Sequence, residues 1–214
     1  MNESEPLTND TCPEQAPTAY VVDDDESIRT LWRWLMESNG IAVKTFASAA
    51  EFIESYRNGG AGCLVLDLEL PGMSGLELQE YLNCRGIEIP IVFVTGHGDV
   101  PKAVSAIKGG AVDFIQKPFG YRDVLSIIRK AFARDAEIRV KRARQSIVAG
   151  RLAMLTERER EVLQRVIEGK PNKIIAADLD ISMKTVEFHR AKVMEKLGVT
   201  SVAELVQFAM QQSA

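Results

Sequence analysis

Five side chains that could together transfer a phosphoryl group follow apolar runs of the chain. They are Asp23, Asp24, Asp67, Thr95 and Lys117. Three carboxylates brought together repel one another and have raised pKa values unless a cation lies among them, and Mg²⁺ suits a site with few carboxylates, water and a phosphoryl oxygen. Asp67 could then act as a carboxylate nucleophile. The hydroxyl of Thr95 and the ammonium of Lys117 could neutralise the phosphoryl oxygens.

The elements that must position these residues alternate along the chain. Helical spacing of apolar residues lies between apolar runs of strand length at residues 19–22, 43–46, 63–66, 90–95 and 112–115. Strict alternation of this kind predicts a parallel sheet with right-handed crossovers. In such sheets ligands bind at the carboxyl ends of the strands. We therefore expect the five side chains to share one edge of a five-stranded, doubly wound α/β domain.

Individual residues of this set also have simpler interpretations. Asp67 taken alone is typical of an aspartate that caps the following turn at residues 70–72. Asp25 and Glu26 could extend the acidic pocket, but acidic residues also favour the first turn of a helix. His97 could be a general base, although a histidine in a glycine-rich loop is more often solvated. The combination of strand ends, rather than any one residue, indicates the phosphoryl site.

The front motifs resemble the receiver domain of bacterial two-component response regulators. The residues that carry the resemblance are Val22-Asp23-Asp24, Asp67 with Pro71-Gly72, Val94-Thr95-Gly96 and Lys117-Pro118-Phe119. It implies Asp67 as the phosphoacceptor and a Mg²⁺ ion held by Asp24 and Asp67, with help from Asp23 and the backbone carbonyl of Glu69. It also implies a switch formed by Thr95 and Phe114. Phenylalanine replaces the tyrosine often found there, which excludes a hydrogen-bonded version of the switch.

Bulk composition limits the class of protein. The 214 residues, 46% of them apolar and 26% charged, suit one or two domains with a substantial core. No apolar run approaches the roughly 18 residues needed to span a bilayer. Residues 1–18 are acidic, lack the apolar segment of a signal peptide and favour disorder. Cys12, Cys63 and Cys84 form no C-x-x-C pair, so we expect a cytoplasmic protein without disulfides, zinc or a membrane partner.

Charge is distributed unevenly along the chain. Residues 1–133 hold 11 basic and 19 acidic side chains, residues 134–150 hold 5 and 2, and residues 151–214 hold 10 and 9. This asymmetry predicts two domains with different partners. Helix-forming residues continue up to Gly150, but basic side chains interrupt any heptad seam, so we expect an extended, solvated helical linker and no coiled coil. DNA phosphates are the alternative partner for its charges.

The rear of the chain predicts a small all-α domain of four helices that contains a helix-turn-helix unit. Thr156 and Glu159 have the spacing of a capping box, and Ser182 is a good N-cap for a later helix. That later helix follows a short one after a tight turn, as in units whose second helix enters the major groove. At 100° per residue its core face consists of Val186, Val193 and Leu197.

The opposite face of this recognition helix carries the candidate DNA contacts. Phe188 could meet a thymine methyl group and Glu187 a cytosine amine, whereas His189, at the edge of the core face, is either a structural residue or a base reader. Lysine and arginine side chains are candidates for phosphates. The full predicted set is Lys173, Ser182, Lys184, Thr185, Glu187, Phe188, His189, Arg190, Lys192 and Lys196.

The rear motifs closely resemble the LuxR-type helix-turn-helix. They are Thr156-x-Arg158-Glu159-x-Glu161-Val162-Leu163, Asn172-Lys173-x-Ile175-Ala176, Thr185-Val186-x-x-His189 and Lys196-Leu197-Gly198. With the front half, the chain beyond residue 18 resembles a FixJ-type response regulator. Glu187 departs from the lysine of some relatives, so their base preferences are not transferred. The resemblance implies a sensor histidine kinase, double-stranded DNA and RNA polymerase as partners, and no enzymatic activity beyond the receiver's own phosphoryl transfer and dephosphorylation.

Two other classes of protein stay open at this point. A hydrolase of the haloacid dehalogenase type also uses an aspartate nucleophile, Mg²⁺ and a lysine, but it expects a second carboxylate two residues later followed by a hydroxyl residue. Here Glu69 stands in that place and is followed by Leu70-Pro71. The rear domain could also be a protein or RNA adaptor, which salt-sensitive and sequence-selective binding to duplex DNA would contradict.

We predict a disordered tail at residues 1–18, a receiver at 19–133, a linker at 134–150 and a DNA-binding domain at 151–214. The linker has no long apolar seam for permanent pairing, so we expect a largely monomeric unphosphorylated form and a homodimer when phosphorylated, with relief of occlusion as the alternative mechanism. A two-fold dimer would present two recognition helices to half-sites one helical turn apart. The predicted dimerisation residues are Val100, Val104, Ile107 and Ala111 in the receiver, and Val202, Leu205, Val206 and Ala209 in the last helix.

Overall fold

A computed structural model describes residues 16–56, 60–96 and 100–210, and the chain divides into two compact units between Ile138 and Arg139. The strands of the first unit are β1 (Thr18–Val22), β2 (Ala42–Phe46), β3 (Gly62–Asp67), β4 (Ile91–Thr95) and β5 (Asp113–Gln116). The helices that accompany them are α1 (Glu26–Glu37), α2 (Ala49–Ser55), α3 (Gly75–Cys84), α4 (Val100–Lys108) and α5 (Tyr121–Ala153), the last of which continues into the second unit.

The five strands form one parallel sheet in the order β2-β1-β3-β4-β5, which confirms the predicted fold class. Since β3 is central, all six of its residues are buried, and a run of apolar side chains is what such a strand requires. Val22 pairs with Leu66, and Asp67 pairs with Val94. The register therefore brings the carboxyl ends of β1, β3 and β4 to one edge of the sheet.

Strand β3 supplies side chains to both cores of the first unit because successive residues point to opposite faces. Leu64 and Leu66 pack in the core that includes residues of α2, α3 and α4. Cys63 and Val65 pack in the core that includes residues of α1 and of the first part of α5. The strand that ends in Asp67 is therefore fixed from both sides.

Helix α3 begins against the carboxyl end of β3, and Gly75 makes this approach possible. Ser74 caps the helix through a capping box with Glu77. A Cβ atom on Gly75 would lie 2.2 Å from the backbone oxygen of Asp67. No side chain can be accommodated there unless the end of the strand moves.

The second unit contains α6 (Glu157–Ile167), α7 (Asn172–Asp178), α8 (Met183–Leu197) and α9 (Val202–Met210) around one apolar core. The structure confirms two predicted helix starts. Thr156 forms a capping box with Glu159, and the side chain of Ser182 accepts the N–H of Thr185. Helix α5 passes through Gly150, so the predicted linker is helical throughout.

Asp135 belongs to the first unit, although the sequence places it at the start of the linker. It is 5% exposed and accepts the N–H of Gly62, at the beginning of β3, at 3.0 Å. Thr18, which we assigned to the tail, is the first residue of β1, and residues 1–15 lie outside the described part of the chain. The remaining domain boundaries stay predictions.

Among the helices of residues 16–56, 60–96 and 100–210, none combines the length and the apolar character needed to cross a membrane.

A buried ion pair fixes α6 to α8. Glu159 is 5% exposed, and its Oε2 accepts hydrogen bonds from Lys196 Nζ at 2.6 Å and from the N–H of Thr156 at 2.8 Å. The hydrogen bond from Lys196 holds the pKa of the Glu159 carboxyl below its ordinary value. Removal of Lys196 would leave this carboxylate poorly compensated.

We predict that Gly75→Ala destabilises the first unit, because the new Cβ would collide with the backbone of Asp67; overpacking of this kind costs about 1–3 kcal/mol. Urea unfolding followed by tryptophan emission reports on this unit alone, because both tryptophans, Trp32 and Trp34, lie in α1. Gly96→Ala is the control, since no atom of the described residues lies within 4 Å of its added Cβ. Equal unfolding midpoints for the two variants would contradict the assignment.

We also predict that Lys196→Ala lowers the stability of the second unit by about 1–3 kcal/mol, the cost of leaving a buried acceptor without its partner. Lys192→Ala, which removes an exposed pair with Glu195, is the control and should leave the stability of the unit nearly unchanged. Hydrogen exchange of the α6 amides measures both. The pKa of Glu159 is lowered in the folded state, so the advantage of the native chain over Lys196→Ala is full at neutral pH and shrinks as the pH falls through that pKa.

Candidate functional site

Asp67 lies where the central strand ends, and its two carboxylate oxygens have different partners. Oδ2 accepts a hydrogen bond from Lys117 Nζ at 2.8 Å, and Oδ1 accepts the backbone N–H of Glu69 at 3.1 Å. The same Nζ donates to Oδ2 of Asp23, also at 2.8 Å. One ammonium group therefore bridges two carboxylates, and both oxygens of Asp67 are oriented by the protein.

Burial and the hydrogen bonds within the site shift the pKa values of Asp23 and Lys117 in opposite directions. Burial raises the pKa of Asp23 above its ordinary value despite the hydrogen bonds from Lys117 and Asp25, and the charge of Asp67 adds to the increase. Burial by itself would lower the pKa of Lys117, but its hydrogen bonds to both carboxylates outweigh this and hold the pKa above the usual range. The site therefore has a stable ammonium but more negative charge than that single cation balances.

Asp23, Asp24 and Asp67 form an acidic cluster typical of Mg²⁺ binding. One carboxylate oxygen from each lies within 4.8 Å of the others, and within residues 16–56, 60–96 and 100–210 no other group of three potential metal ligands is found. Asp23 is 3% exposed and Asp67 9%, whereas Asp24 is open to solvent. The cluster therefore presents oxygen ligands, which hard divalent cations prefer, at an accessible end of the sheet.

The loop after β1 is held by an arginine that the sequence did not single out. Arg29 Nη1 donates to the backbone oxygens of Asp23 and Asp24, each at 2.8 Å. Asp25 accepts the N–H of Ser27 at 2.8 Å and caps α1. The helix-start interpretation of Asp25 is thus confirmed. Arg29 is the first basic residue after the acidic run, which is the only sequence signal of its role.

The other predicted site residues lie on the neighbouring strands. Thr95 ends β4 and is 7% exposed, and its backbone oxygen accepts the N–H of Lys117 at 2.7 Å, which fixes the loop that carries the ammonium. Phe114 on β5 is 43% exposed. The side chain of Glu69 points away to Lys102, at 3.3 Å. His97 and the side chain of Val100 lie outside the described residues.

Helix α8 separates a core face from an exposed face much as predicted. Val186, Val193 and Leu197 are buried, whereas Phe188 is 59% exposed and His189 lies at the edge. Trp34, Tyr121 and Ile147 are comparably exposed elsewhere in the chain, so the exposure of Phe188 does not by itself mark a contact site. Lys173, Lys184 and Glu187 are exposed as well, and the predicted contacts made by this face with DNA stay predictions.

Three of the basic candidates have partners inside the second unit. Arg190 Nη1 donates to Asn172 Oδ1 at 2.6 Å, which connects α8 to α7, and Lys192 pairs with Glu195 at the surface. The surroundings of Lys196 differ most from those expected of a DNA contact. Its Nζ is engaged by buried Glu159, so we assign it to the fold and no longer to the phosphate contacts. The sequence could not show this because the two residues are far apart in the chain.

The predicted dimerisation residues divide into two groups. Val104 and Ile107 are exposed on α4, and Val202 is exposed on α9, with Val206 and Ala209 partly buried. Ala111 and Leu205 are 9% and 1% exposed and pack in the cores of their own units. These two predictions are wrong, because residues filling a core are not available to a second copy.

Both units match known protein families. The model for the response regulator receiver domain matches residues 19–129, and the model for bacterial regulatory proteins of the luxR family matches residues 153–209. The two matches correspond to the sheet with its acidic cluster and to the four-helix unit that contains α8.

The chain is similar to transcriptional regulators over most of its length. It is 44% identical to the transcriptional regulatory protein FixJ of Azorhizobium caulinodans, over 92% of this chain and 93% of that protein. It is 41% identical to the response regulator protein TodT of Pseudomonas putida, over 90% and 85%. Among solved structures it resembles the response regulator StyR, with 45% identity, a TM-score of 0.81 and coverage of 92% and 99%. The chain belongs to the FixJ-type response regulators, which join a receiver domain to a LuxR-type DNA-binding domain.

Proposed function

We propose that Asp67 accepts a phosphoryl group from the phosphohistidine of a sensor kinase, and that this modification controls sequence-specific DNA binding by α8 and hence transcription in the cytoplasm. The observation that supports the assignment is the position of Asp67, 2.8 Å from Lys117 and beside Asp23 and Asp24 at the end of the central strand. RNA polymerase is the expected partner at the promoter.

The transfer needs an anionic oxygen aligned with the phosphorus atom and positive charge around the phosphoryl oxygens. The carboxylate of Asp67 provides the nucleophilic oxygen; a new oxygen–phosphorus bond forms as the phosphorus–nitrogen bond of the donor breaks, and the electron pair leaves with the imidazole. The N–H of Glu69 holds one oxygen of Asp67 in place at 3.1 Å. Lys117 is close enough to neutralise an added phosphoryl oxygen, and Thr95 supplies a hydroxyl from the next strand.

Mg²⁺ is the cofactor that the cluster fits best. Asp23, Asp24 and Asp67 would hold the ion, together with the backbone oxygen of Glu69, and the accessible side of Asp24 leaves room for water. A bound Mg²⁺ would offset the repulsion between carboxylates and phosphoryl oxygens. The balance of charges supports this assignment, because three carboxylates lie together and the ammonium of Lys117 bonds to two of them.

The position of the Glu69 side chain argues against the alternative function, a hydrolase of the haloacid dehalogenase type. In a hydrolase of that type the second carboxylate would serve the reaction beside the nucleophile. The carboxylate of Glu69 instead lies at the surface, 3.3 Å from Lys102, with a side chain that is 82% exposed. We therefore propose that the chain is not an enzyme beyond its own phosphoryl transfer and dephosphorylation.

Coupling between the two units would use the exposed surface of α4 and β5. Val104 and Ile107 on α4 and Phe114 on β5 are apolar and are each between 43% and 47% exposed. Inward movement of Phe114 after phosphorylation would change this surface. A dimer formed through it can shift DNA binding only if it is tighter in the phosphorylated state. Occlusion of the recognition helix is the alternative mechanism.

The phosphoacceptor assignment predicts that a small phosphodonor with Mg²⁺ adds one phosphoryl group to the protein and none to Asp67→Asn, as measured by intact mass. Asp123→Asn, an exposed carboxylate in the first turn of α5, should label like the native chain. Asp24→Asn should label more slowly and require more Mg²⁺. Full labelling of Asp67→Asn would overturn the site, and sustained turnover of a phosphomonoester would favour the hydrolase.

The DNA-facing assignment predicts two different mutational effects. Lys173→Ala and Lys192→Ala should weaken binding to every duplex and reduce the slope of log K against log salt by about one unit each, if each meets one phosphate. Glu187→Ala and Phe188→Ala should change which bases are preferred, by about 1–3 kcal/mol at one position. Lys44→Ala, which removes the same charge from the first unit, is the control.

The measurement is selection of bound duplexes from a random pool, followed by salt titration on the selected site. A preference profile that is the same for Glu187→Ala, Phe188→Ala and the native protein would mean that another face of α8 reads the bases. A salt slope that is as shallow for Lys44→Ala as for Lys173→Ala would remove the phosphate assignment.

A further inference from the structure

The last turn of α5 contacts the C-terminal end of the recognition helix. Arg151 Nη1 donates to the backbone oxygen of Leu197, the last residue of α8, at 2.8 Å. The guanidinium also lies 5.9 Å from the ring of Phe208 in α9. Gly198 ends α8 in the left-handed conformation, with φ of 66°, and a Cβ there would be 3.1 Å from Arg151 Nη1. The arginine therefore covers the helix end where carbonyl oxygens lack partners within the helix.

A second contact joins the same two helix ends in the opposite direction. Lys196 of α8 donates to the backbone oxygen of Met154, the residue after the end of α5, at 3.2 Å. Leu155 is buried in the core of the second unit, and Leu152 packs against that core. Each helix thus supplies a side chain that binds a carbonyl at the end of the other, so the end of α5 is part of the framework that holds α8.

The beginning of α5 is equally well fixed in the first unit. Val124, Ile128 and Ala131 are fully buried in the core on the α1 face of the sheet. Asp135 accepts the N–H of Gly62 at the start of β3, the strand that ends in Asp67. One continuous helix therefore has buried contacts with the phosphoryl-site strand and hydrogen bonds to the recognition helix.

We infer that Arg151 is a positioning residue that couples the receiver to the recognition helix: it makes the position of α8 depend on the position of α5. The inference rests on the proposed function, since it concerns how phosphorylation reaches DNA. A hydrogen bond to the end of α8, together with the reciprocal bond from Lys196, resists both sliding and rotation of one helix end against the other. A merely structural arginine would support DNA binding equally in both receiver states.

The test compares DNA affinity with and without phosphorylation in the full chain. Coupling free energies of known allosteric proteins correspond to roughly 5–150-fold changes in affinity. We expect Arg151→Gln to reduce the ratio of phosphorylated to unphosphorylated affinity at least fivefold relative to the native chain. Arg144→Gln removes the same charge from an exposed position of the same helix and should keep the native ratio.

The outcomes separate this inference from the proposed function. If the native chain shows no change of affinity on phosphorylation, both are overturned. If the native chain responds and Arg151→Gln loses affinity by the same factor in both states, the arginine is only structural and the inference alone is overturned. Arg151→Lys is a second variant that retains a charged donor and is therefore less disruptive to the fold. It should recover part of the native ratio of phosphorylated to unphosphorylated affinity. A ratio below that of Arg151→Gln would contradict the assignment.

Discussion

The ammonium of Lys117, 2.8 Å from both Asp23 and Asp67, is the contact on which the phosphoryl site depends. Two buried carboxylates at the ends of adjacent strands repel each other, and without a cation the folded state would favour protonation of one of them. Lys117 follows β5, which is two strands away from β3 in the sheet. Its flexible four-carbon side chain can cover that distance, and the N–H of Lys117 on the oxygen of Thr95 fixes its starting point.

Everything else at this edge of the sheet limits how far the charged groups can relax. Gly75 allows α3 to approach the end of β3, and Arg29 binds the backbone after β1. The carboxylate of Asp25 caps α1. Asp67 is therefore a carboxylate with a fixed direction in a site that has an excess of negative charge. Such preorganisation is what phosphoryl transfer requires of a protein, because little covalent chemistry is left for other side chains.

In the second unit, charged side chains serve both the fold and the exposed surface. Basic residues on one helix have separate tasks: Lys184 is left to solvent, Arg190 connects α8 to α7, and Lys196 neutralises buried Glu159. Only the exposed face retains charge that phosphates could meet. The framework around the recognition helix thus extends from α6 to the last turn of α5, so the end of this long helix is also part of the DNA-binding fold.

Much of this protein was determined by its sequence alone. The continuous apolar run that ends in Asp67 is typical of a buried strand of a parallel sheet, and the alternation around it predicted the order of elements and the edge of the site. The motifs at the strand ends and in the rear helices carried the resemblance to both families. Local signals such as the capping box of Thr156 and the N-cap Ser182 also determined helix starts, because their hydrogen bonds join residues close in the chain. The face of α8 followed from helical geometry.

The tertiary structure decided which polar residues are buried and with whom. The pairing of Glu159 with Lys196, of Asp135 with the N–H of Gly62, and of Arg151 with the end of α8 joins residues that are distant in sequence, and no local pattern distinguishes them from solvated charges. Leu205 was assigned to the wrong surface for the same reason: an amphipathic helix shows an apolar face, but only packing tells whether its own core or another molecule covers it.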